Sequence, residues 1–373
     1  MHSQTSTRAR FPSNVDTVAR TGTNSRRRAR FARAWSLLAL LLSAGCAGTP
    51  SPIFDPVDPP IVWPDAGPPR VRYVGSLASS DDLRAPVGFW THLWRWFAGA
   101  PEPARLEGPY GLAVADGDQL FIADPEQHCV HHFDLDGRAH ARWTDAGDGM
   151  SFRNPVDVAI SPSGEVVVSD AELGRVVWLD RNGSVRRVSP AELELQRPVG
   201  LAIGPRTGRT YIVDVLAHAV RVVEGDGSPG PSLGGRGGAP GQFNFPLHIA
   251  CDENEHLFVT DSLNFRVQEL DRNGAPLRSY GRNGDGPGDF AQPRDVAIDS
   301  AGRLFVVDAR FENVQIFDRD GRILLGFGHE GHDAGEFWLP KGIWITPDGR
   351  IWVGDTYNRR VQVFELLEVA DAS

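Results

Sequence analysis

Lysine is all but missing from this 373-residue chain: Lys341 is the only one, and arginine supplies the rest of the 38 basic residues, a bias read here as genomic base composition. Cysteine is nearly as scarce. Three are present, Cys46, Cys129 and Cys251, too few for a disulfide-built scaffold. The longest apolar stretch near the N-terminus has a core of about ten residues, which excludes a spanning helix there. There is no Gly-x-Ser-x-Gly elbow, P-loop or zinc-protease helix motif. Enzymes recognisable from a local motif are therefore excluded, whereas sites assembled from distant segments are not. Long helical periodicity is also lacking across the repeated part of the chain.

What is abundant is repetition. Asp124, Asp170, Asp214, Asp261, Asp308 and Asp355 each close a short β-branched or apolar run at nearly constant spacing. Pro109, Pro155, Pro198, Pro246, Pro293 and Pro340 keep the same count, and three residues before them stand Leu106, Phe152, Leu195, Phe243, Phe290 and Phe337. A period near 45 residues without a long helix is the mark of a propeller blade, not of a helical solenoid.

The fifth unit shows what one repeat encodes. Residues 295–298, 303–307, 313–317 and 323–327 alternate or run apolar as strands do, and the Asp320-Gly321 turn joins the last two. A four-stranded sheet of this kind has two apolar faces that only neighbouring sheets can cover. Six such sheets packed radially bury them all and leave short edges. The sixth unit supplies three strands, at 341–345, 350–354 and 360–366. Residues 70–77 read like a fourth strand but lie ahead of the first unit, so they are expected to complete the last blade and close the ring. The fold class is therefore all-β, a six-bladed propeller over residues 70–367, followed by a tail at 368–373.

The units carry Pro-x-Gly-(Ile/Leu)-Ala, then a run ending in Asp, then Asn-x-Arg-Val-Gln-Val-Phe. VGDTYNRRVQVF at residues 353–364 and VTDSLNFRVQEL at 259–270 are the fullest copies. In the other four, Gln127, Leu173, Ala217 and Phe311 replace the asparagine, and Cys129, Ala219 and Asn313 replace the arginine in three of them. This pattern resembles NHL repeats and covers about 300 residues. The resemblance implies the propeller fold. It leaves function open, because NHL-like propellers include protein-binding sensors, nucleic-acid binders and metal-dependent enzymes.

Residues 26–46, RRRARFARAWSLLALLLSAGC, join a basic cluster to an apolar core and then small residues before cysteine. Residues 1–45 are read as a signal peptide whose end resembles a bacterial lipobox, with Ser43 a departure from it and Cys46 the lipidated residue. Residues 46–69, rich in proline, are expected to be an extended tether outside the core. Ala47 is not the aspartate that signals inner-membrane retention in similar lipoproteins, so the cell envelope, on the outer membrane, is the expected location. Residues 1–45 hold eight arginines and one aspartate; without them 30 basic and 47 acidic residues remain, a net charge of −17. Such a chain is unsuited to phosphate backbones, and no nucleic-acid partner is expected. A monomer is expected. Between residues 86 and 98, Phe89, Trp90, Leu93, Trp94 and Phe97 make an apolar stripe at helical spacing, read as a helical insert that packs on the propeller or meets the membrane interface.

The six repeat aspartates recur in every unit, which favours a structural role as acceptors in the following turn. The loops before each proline and after each aspartate fall on one face, the expected binding face. The residues just after the prolines are Tyr110, Val156, Val199, Leu247, Arg294 and Lys341. The next ones are Gly111, Asp157, Gly200, His248, Asp295 and Gly342, among which the three charged or titratable residues depart from the repeat. Tyr110, Asp157, His248, Arg294, Asp295 and Lys341 are therefore the candidate ligand site. Asp157, His248 and Asp295 are the candidate ligands of a divalent cation in the central channel, with salt bridging across the pore as the alternative. No histidine directly follows a proline, so the three-histidine zinc site that resemblance to peptidyl-amidoglycolate lyase would imply is unsupported. His128, His131 and His132 are read as a solvated cluster, and Cys129 and Cys251 as small hydrophobes. Two readings follow: a lipid-anchored propeller that binds a protein, peptide or glycan, or a metal-dependent propeller hydrolase or lyase.

Overall fold

The computed structural model describes residues 53–54, 56–64, 70–83, 103–116 and 118–367. Six antiparallel sheets are present. Blades 1 to 5 are contiguous in sequence, over residues 112–143, 155–188, 198–234, 246–280 and 293–327, each with its four strands in chain order. Blade 5 runs Pro293–Ile298, Leu304–Asp308, Asn313–Phe317 and Ile323–Phe327, close to the bounds expected from its pattern.

Blade 6 takes Gly342–Ile345, Arg350–Asp355 and Arg360–Leu366 from the C-terminal end. Val71–Leu77 pairs antiparallel with the last of these, Val71 facing Leu366 and Leu77 facing Val361. Beyond it lies a fifth strand, Val62–Trp63, paired to Val71–Leu77. That strand is a departure from the tether expected over residues 46–69. Phe54 packs edge-on against Trp352, and Trp63 packs against Phe327 and Phe364. Apolar side chains among the prolines have a sheet edge within reach, and covering it removes both from water.

The second strands explain the fold energetically. Val166–Asp170, Thr210–Asp214, Leu257–Asp261 and Leu304–Asp308 are buried along their whole length, because a neighbouring blade covers each face. Fourth strands of blades 1 to 5 are largely open to solvent, and Pro276–Tyr280 is exposed except for Tyr280. The apolar clusters lie between blades: Tyr211, Val213 and Val220 of blade 3 meet Ile249, Leu257 and Val259 of blade 4. Leu77, Trp352 and Val363 of blade 6 meet Leu112, Ile122 and Phe133 of blade 1. Each fully buried side chain of this size contributes roughly 1.5–3 kcal/mol. The repeated aromatic before the proline is part of this packing. Phe337 lies against Gly328, where a Cβ would come 2.3 Å from the ring and φ is +83°.

The six repeat aspartates are fully buried. Each accepts one or two backbone N–H groups from the segment leading into its proline, as Asp170 does from Arg153 and Asn154, Asp308 from Ala291 and Gln292, and Asp355 from Trp338. In the two fullest repeats the signature side chains converge on the same carboxylate. Asn264, Arg266 and Gln268 donate to Asp261, and Asn358, Arg360 and Gln362 donate to Asp355, at 2.8–3.1 Å. Each arginine also donates to two loop carbonyls, tying strand to loop.

In blade 1, His131 occupies the place of that glutamine. It is fully buried, with Nε2 3.5 Å from Asp124 and Nδ1 2.9 Å from His140 Nε2. His132 stacks on Phe121 at 4.6 Å. The solvated reading of this cluster is corrected for His131, because a strand's period of two sends it to the covered face. Cys129 is buried and Cys251 half-buried, and both thiols are free. The leader, Cys46, the stripe at 86–98 and the tail at 368–373 lie outside the described residues.

Candidate functional site

First strands begin at or just after the repeat prolines and run into the centre of the ring, so the residues following each proline meet there. All six, Tyr110, Val156, Val199, Leu247, Arg294 and Lys341, line one cavity of about 290 Å³ at the channel mouth. One step deeper, Asp157, His248 and Asp295 also reach it. The six candidate ligand residues are thus brought together.

The three departures from the repeat form one ion triad across the channel. His248 Nε2 is 3.0 Å from Asp157 Oδ2, and Nδ1 is 2.5 Å from Asp295 Oδ1, an ion-pair approach that misses hydrogen-bond alignment. The carboxylates are also held by backbone. Asp157 accepts from Val158 N and, across the blade boundary, from Leu201 N at 2.7 Å. Asp295 accepts from Val296 N and from Ile343 N of blade 6 at 3.0 Å. Glycine in a preceding blade makes room: a Cβ on Gly111 would lie 2.0 Å from Asp157 Oδ1, and one on Gly200 2.5 Å from His248 Cα.

Burial works against charge on His248, but Asp295 and Asp157 outweigh it and raise its pKa to about 10. Burial pushes the Asp295 carboxyl above its ordinary range, against the pull of the imidazolium. His248 is therefore a cation at neutral pH, with its nitrogens turned to carboxylates. Among the described residues no group of three or more His, Cys, Asp or Glu side chains is placed to hold a metal ion. Asp157, His248 and Asp295, read from sequence as cation ligands, converge on each other.

Beneath the triad the channel changes character. A second cavity of about 430 Å³ is lined by one apolar residue from each blade, Leu112, Val158, Leu201, Ile249, Val296 and Ile343. His248 borders both cavities and divides them.

The mouth is cationic above the triad. Lys341 Nζ lies 3.5 Å from the Tyr110 ring centroid and 5.6 Å from that of Tyr357. Arg294 Nε is buried without a hydrogen-bond partner. Burial lowers the pKa of both; for Lys341, burial and then Arg294 bring it down to about 7. Among the described residues neither has a carboxylate within ion-pair distance, and an exposed Arg197 joins them on the wall. Burial also raises the Tyr110 pKa, so its hydroxyl stays protonated.

The rim is aromatic and apolar. Of seven exposed large apolar side chains among the described residues, Leu216, Phe245, Leu263, Trp338 and Tyr357 stand in the loops of this face. Trp338 and Tyr357 meet edge to face at 5.4 Å, beside a shallower depression that shares Tyr110 and Lys341 with the mouth. Arg197, Leu216, Phe245, Trp338 and Tyr357 escape a search confined to positions after the prolines. Their signal is membership of the loops that precede each proline and follow each aspartate.

Residues 337–364 match the family model of the NHL repeat. No curated protein matches the chain. Among solved structures it is similar to a gluconolactonase from Xanthomonas campestris, at 18% identity and TM-score 0.57, over 84% of this chain and 99% of that one. It is also similar to an auxiliary nutrient binding protein from Bacteroides ovatus, at 13% identity and TM-score 0.54, over 70% of each chain. Virginiamycin B lyase from Staphylococcus aureus matches at 14% identity and TM-score 0.53, over 70% of this chain and 96% of that one. At these identities the likeness is one of fold.

Proposed function

We propose that this six-bladed β-propeller, one of whose repeats matches the NHL model, is a lipid-anchored binding protein of the cell envelope whose channel mouth takes an anionic group of a peptide or glycan. The observation that carries this reading is Arg294, a half-buried guanidinium whose Nε has no partner, beside Lys341, which among the described residues has no carboxylate within ion-pair distance. Buried cations normally have partners, and an unfilled donor is satisfied by a ligand that supplies the acceptor. The exposed Trp338, Tyr357 and Phe245 give the ligand's uncharged part a surface to stack on. A solved neighbour described as nutrient binding supports a ligand-carrying role for such a scaffold.

The metal-dependent hydrolase or lyase reading requires His248 to give up its proton and turn to an ion shared with Asp157 and Asp295. The geometry favours the ion triad instead: His248 faces Asp157 and Asp295 directly, and among the described residues no group of three or more His, Cys, Asp or Glu side chains is placed to hold a metal ion.

Titration calorimetry tests the binding reading with uronate oligosaccharides and with peptides ending in a free carboxylate or an amide. Carboxylate ligands should bind, the amidated peptide should not, and Arg294→Gln should weaken binding by about tenfold or more, as loss of a charged hydrogen bond does. Equal binding of amide and carboxylate, or an Arg294→Gln variant that binds unchanged, would overturn it.

A further inference from the structure

The one lysine of the chain lies at the wall of the cavity at the channel mouth. Lys341 follows the last repeat proline, at the start of the first strand of blade 6, and its half-buried Nζ rests on the Tyr110 ring. Charged groups on the same cavity wall are Arg294, Arg197 and, one step deeper, Asp157, His248 and Asp295, while Glu126 shares the neighbouring depression and pulls weakly toward the ammonium form. Among the described residues the Lys341 ammonium has the face of an aromatic ring and no carboxylate within ion-pair distance.

We propose that Lys341 is a nucleophilic amine that captures small 2-oxo carboxylates as an imine, with Arg294 receiving the carboxylate. This rests on the anion-binding reading of the same cavity and narrows it to a carbonyl-bearing acid. The neutral amine adds its lone pair to the carbonyl carbon, and the C=O pair moves to oxygen, which takes the proton released by nitrogen. The resulting carbinolamine expels its hydroxyl as water after protonation, and the C=N bond forms. One carbonyl compound and one amine give one imine and one water, with no change in oxidation state.

Three features support this. A cavity of about 290 Å³ suits a small ligand. Burial, helped by Arg294, lowers the lysine pKa to about 7, so much of it is free amine where an ordinary lysine is almost wholly ammonium. Arg294 stays charged and has an unfilled donor for the second functional group of the ligand.

The scarcity of lysine makes the test clean. The full chain is incubated with pyruvate, reduced with cyanoborohydride and mapped by peptide mass spectrometry, which separates Lys341 from the terminal amine. One adduct per chain at Lys341 is expected, with trapping half-maximal near pH 7 and lost in Lys341→Arg. Arg294→Gln should lower trapping by about tenfold or more, and acetaldehyde, which lacks the carboxylate, should label poorly. Lactate, of the same shape without the carbonyl, reports anion binding separately by calorimetry. Lactate bound through Arg294 with no pyruvate adduct at Lys341 overturns the imine and leaves the anion site standing. An adduct at Lys341 that forms equally with acetaldehyde and in Arg294→Gln overturns the 2-oxo acid assignment. If lactate is not bound and pyruvate is not trapped, both readings fall.

Discussion

A histidine held between two carboxylates and a lysine held beside an arginine respond to pH in opposite directions, and the channel mouth contains one of each. His248 has a folded pKa of about 10 against about 6.5 unfolded. Its contribution to stability is fully present below about 6.5 and is lost as pH rises through 10. Lys341 has a folded pKa of about 7 against an ordinary 10.5, so folding penalises its charge. That cost is present below 7 and is relieved as pH rises toward 10.5. Between about 7 and 10 the two slopes oppose one another. Lys341→Met should therefore expose a stability that falls across this range in urea unfolding. A Lys341→Met profile parallel to that of wild type would show that the Lys341 shift is absent, and a flat Lys341→Met profile that the His248 shift is absent. His248→Asn leaves two buried carboxylates facing one another and should cost ~3–5 kcal/mol at neutral pH, as removing one partner of a buried ion pair does. If Asp157 and Asp295 were merely solvated, the loss would stay below ~1 kcal/mol.

Within a blade, the unit of stability is the carboxylate at the end of the second strand together with whatever the third strand offers it. Blades 4 and 6 offer asparagine, arginine and glutamine. Blade 5 keeps the glutamine, with Gln315 donating to Asp289 O, but has Phe311 and Asn313 in place of the other two. Asn313 Oδ1 is buried with no hydrogen-bond partner. Asn313→Arg should let a guanidinium reach Asp308 and the loop carbonyls, as Arg360 does in blade 6, and should raise the unfolding free energy by ~1–2 kcal/mol. The reverse change, Arg360→Leu, should cost ~1.5–3 kcal/mol. Equal effects of leucine at residues 313 and 360 would sink the idea that this arginine fastens loop to strand.

Across the whole molecule, the sixth blade joins segments separated by nearly the length of the propeller. Deleting residues 70–77 should strip the cover from Phe364 and Val361 and lower the unfolding temperature sharply, and an unchanged melting curve would reject the shared blade. Trp63 extends this seam, and Trp63→Ala should cost ~2–3 kcal/mol through its contacts with Phe327 and Phe364. Cys46→Ser should release the protein from the membrane fraction and abolish fatty-acid labelling; labelling that persists elsewhere would refute the anchor.

Blade number and strand bounds were legible because a propeller repeats one local rule. Turn residues, β-branched runs and the buried aspartate recur with a single period, and each is a short-range signal. The residues of the channel mouth were legible for the same reason: a fixed place after each proline becomes a ring, so a departure at that place stands out. Their electrostatics were not. Asp157, His248 and Asp295 come from blades 2, 4 and 5, and whether they hold an ion or one another depends on distances that ring curvature sets. Lys341 was legible as a channel-mouth residue, but its lowered pKa was not, because that depends on burial and on Arg294 lying nearby in the closed ring. The proline-rich segment likewise looked like a spacer, since nothing within it reveals that Val71–Leu77, docked on a strand some 300 residues later, offers its outer edge to Val62–Trp63. Periodic local chemistry determined the scaffold; charge, exposure and the fate of the ends were decided by which surfaces the closed ring brought together.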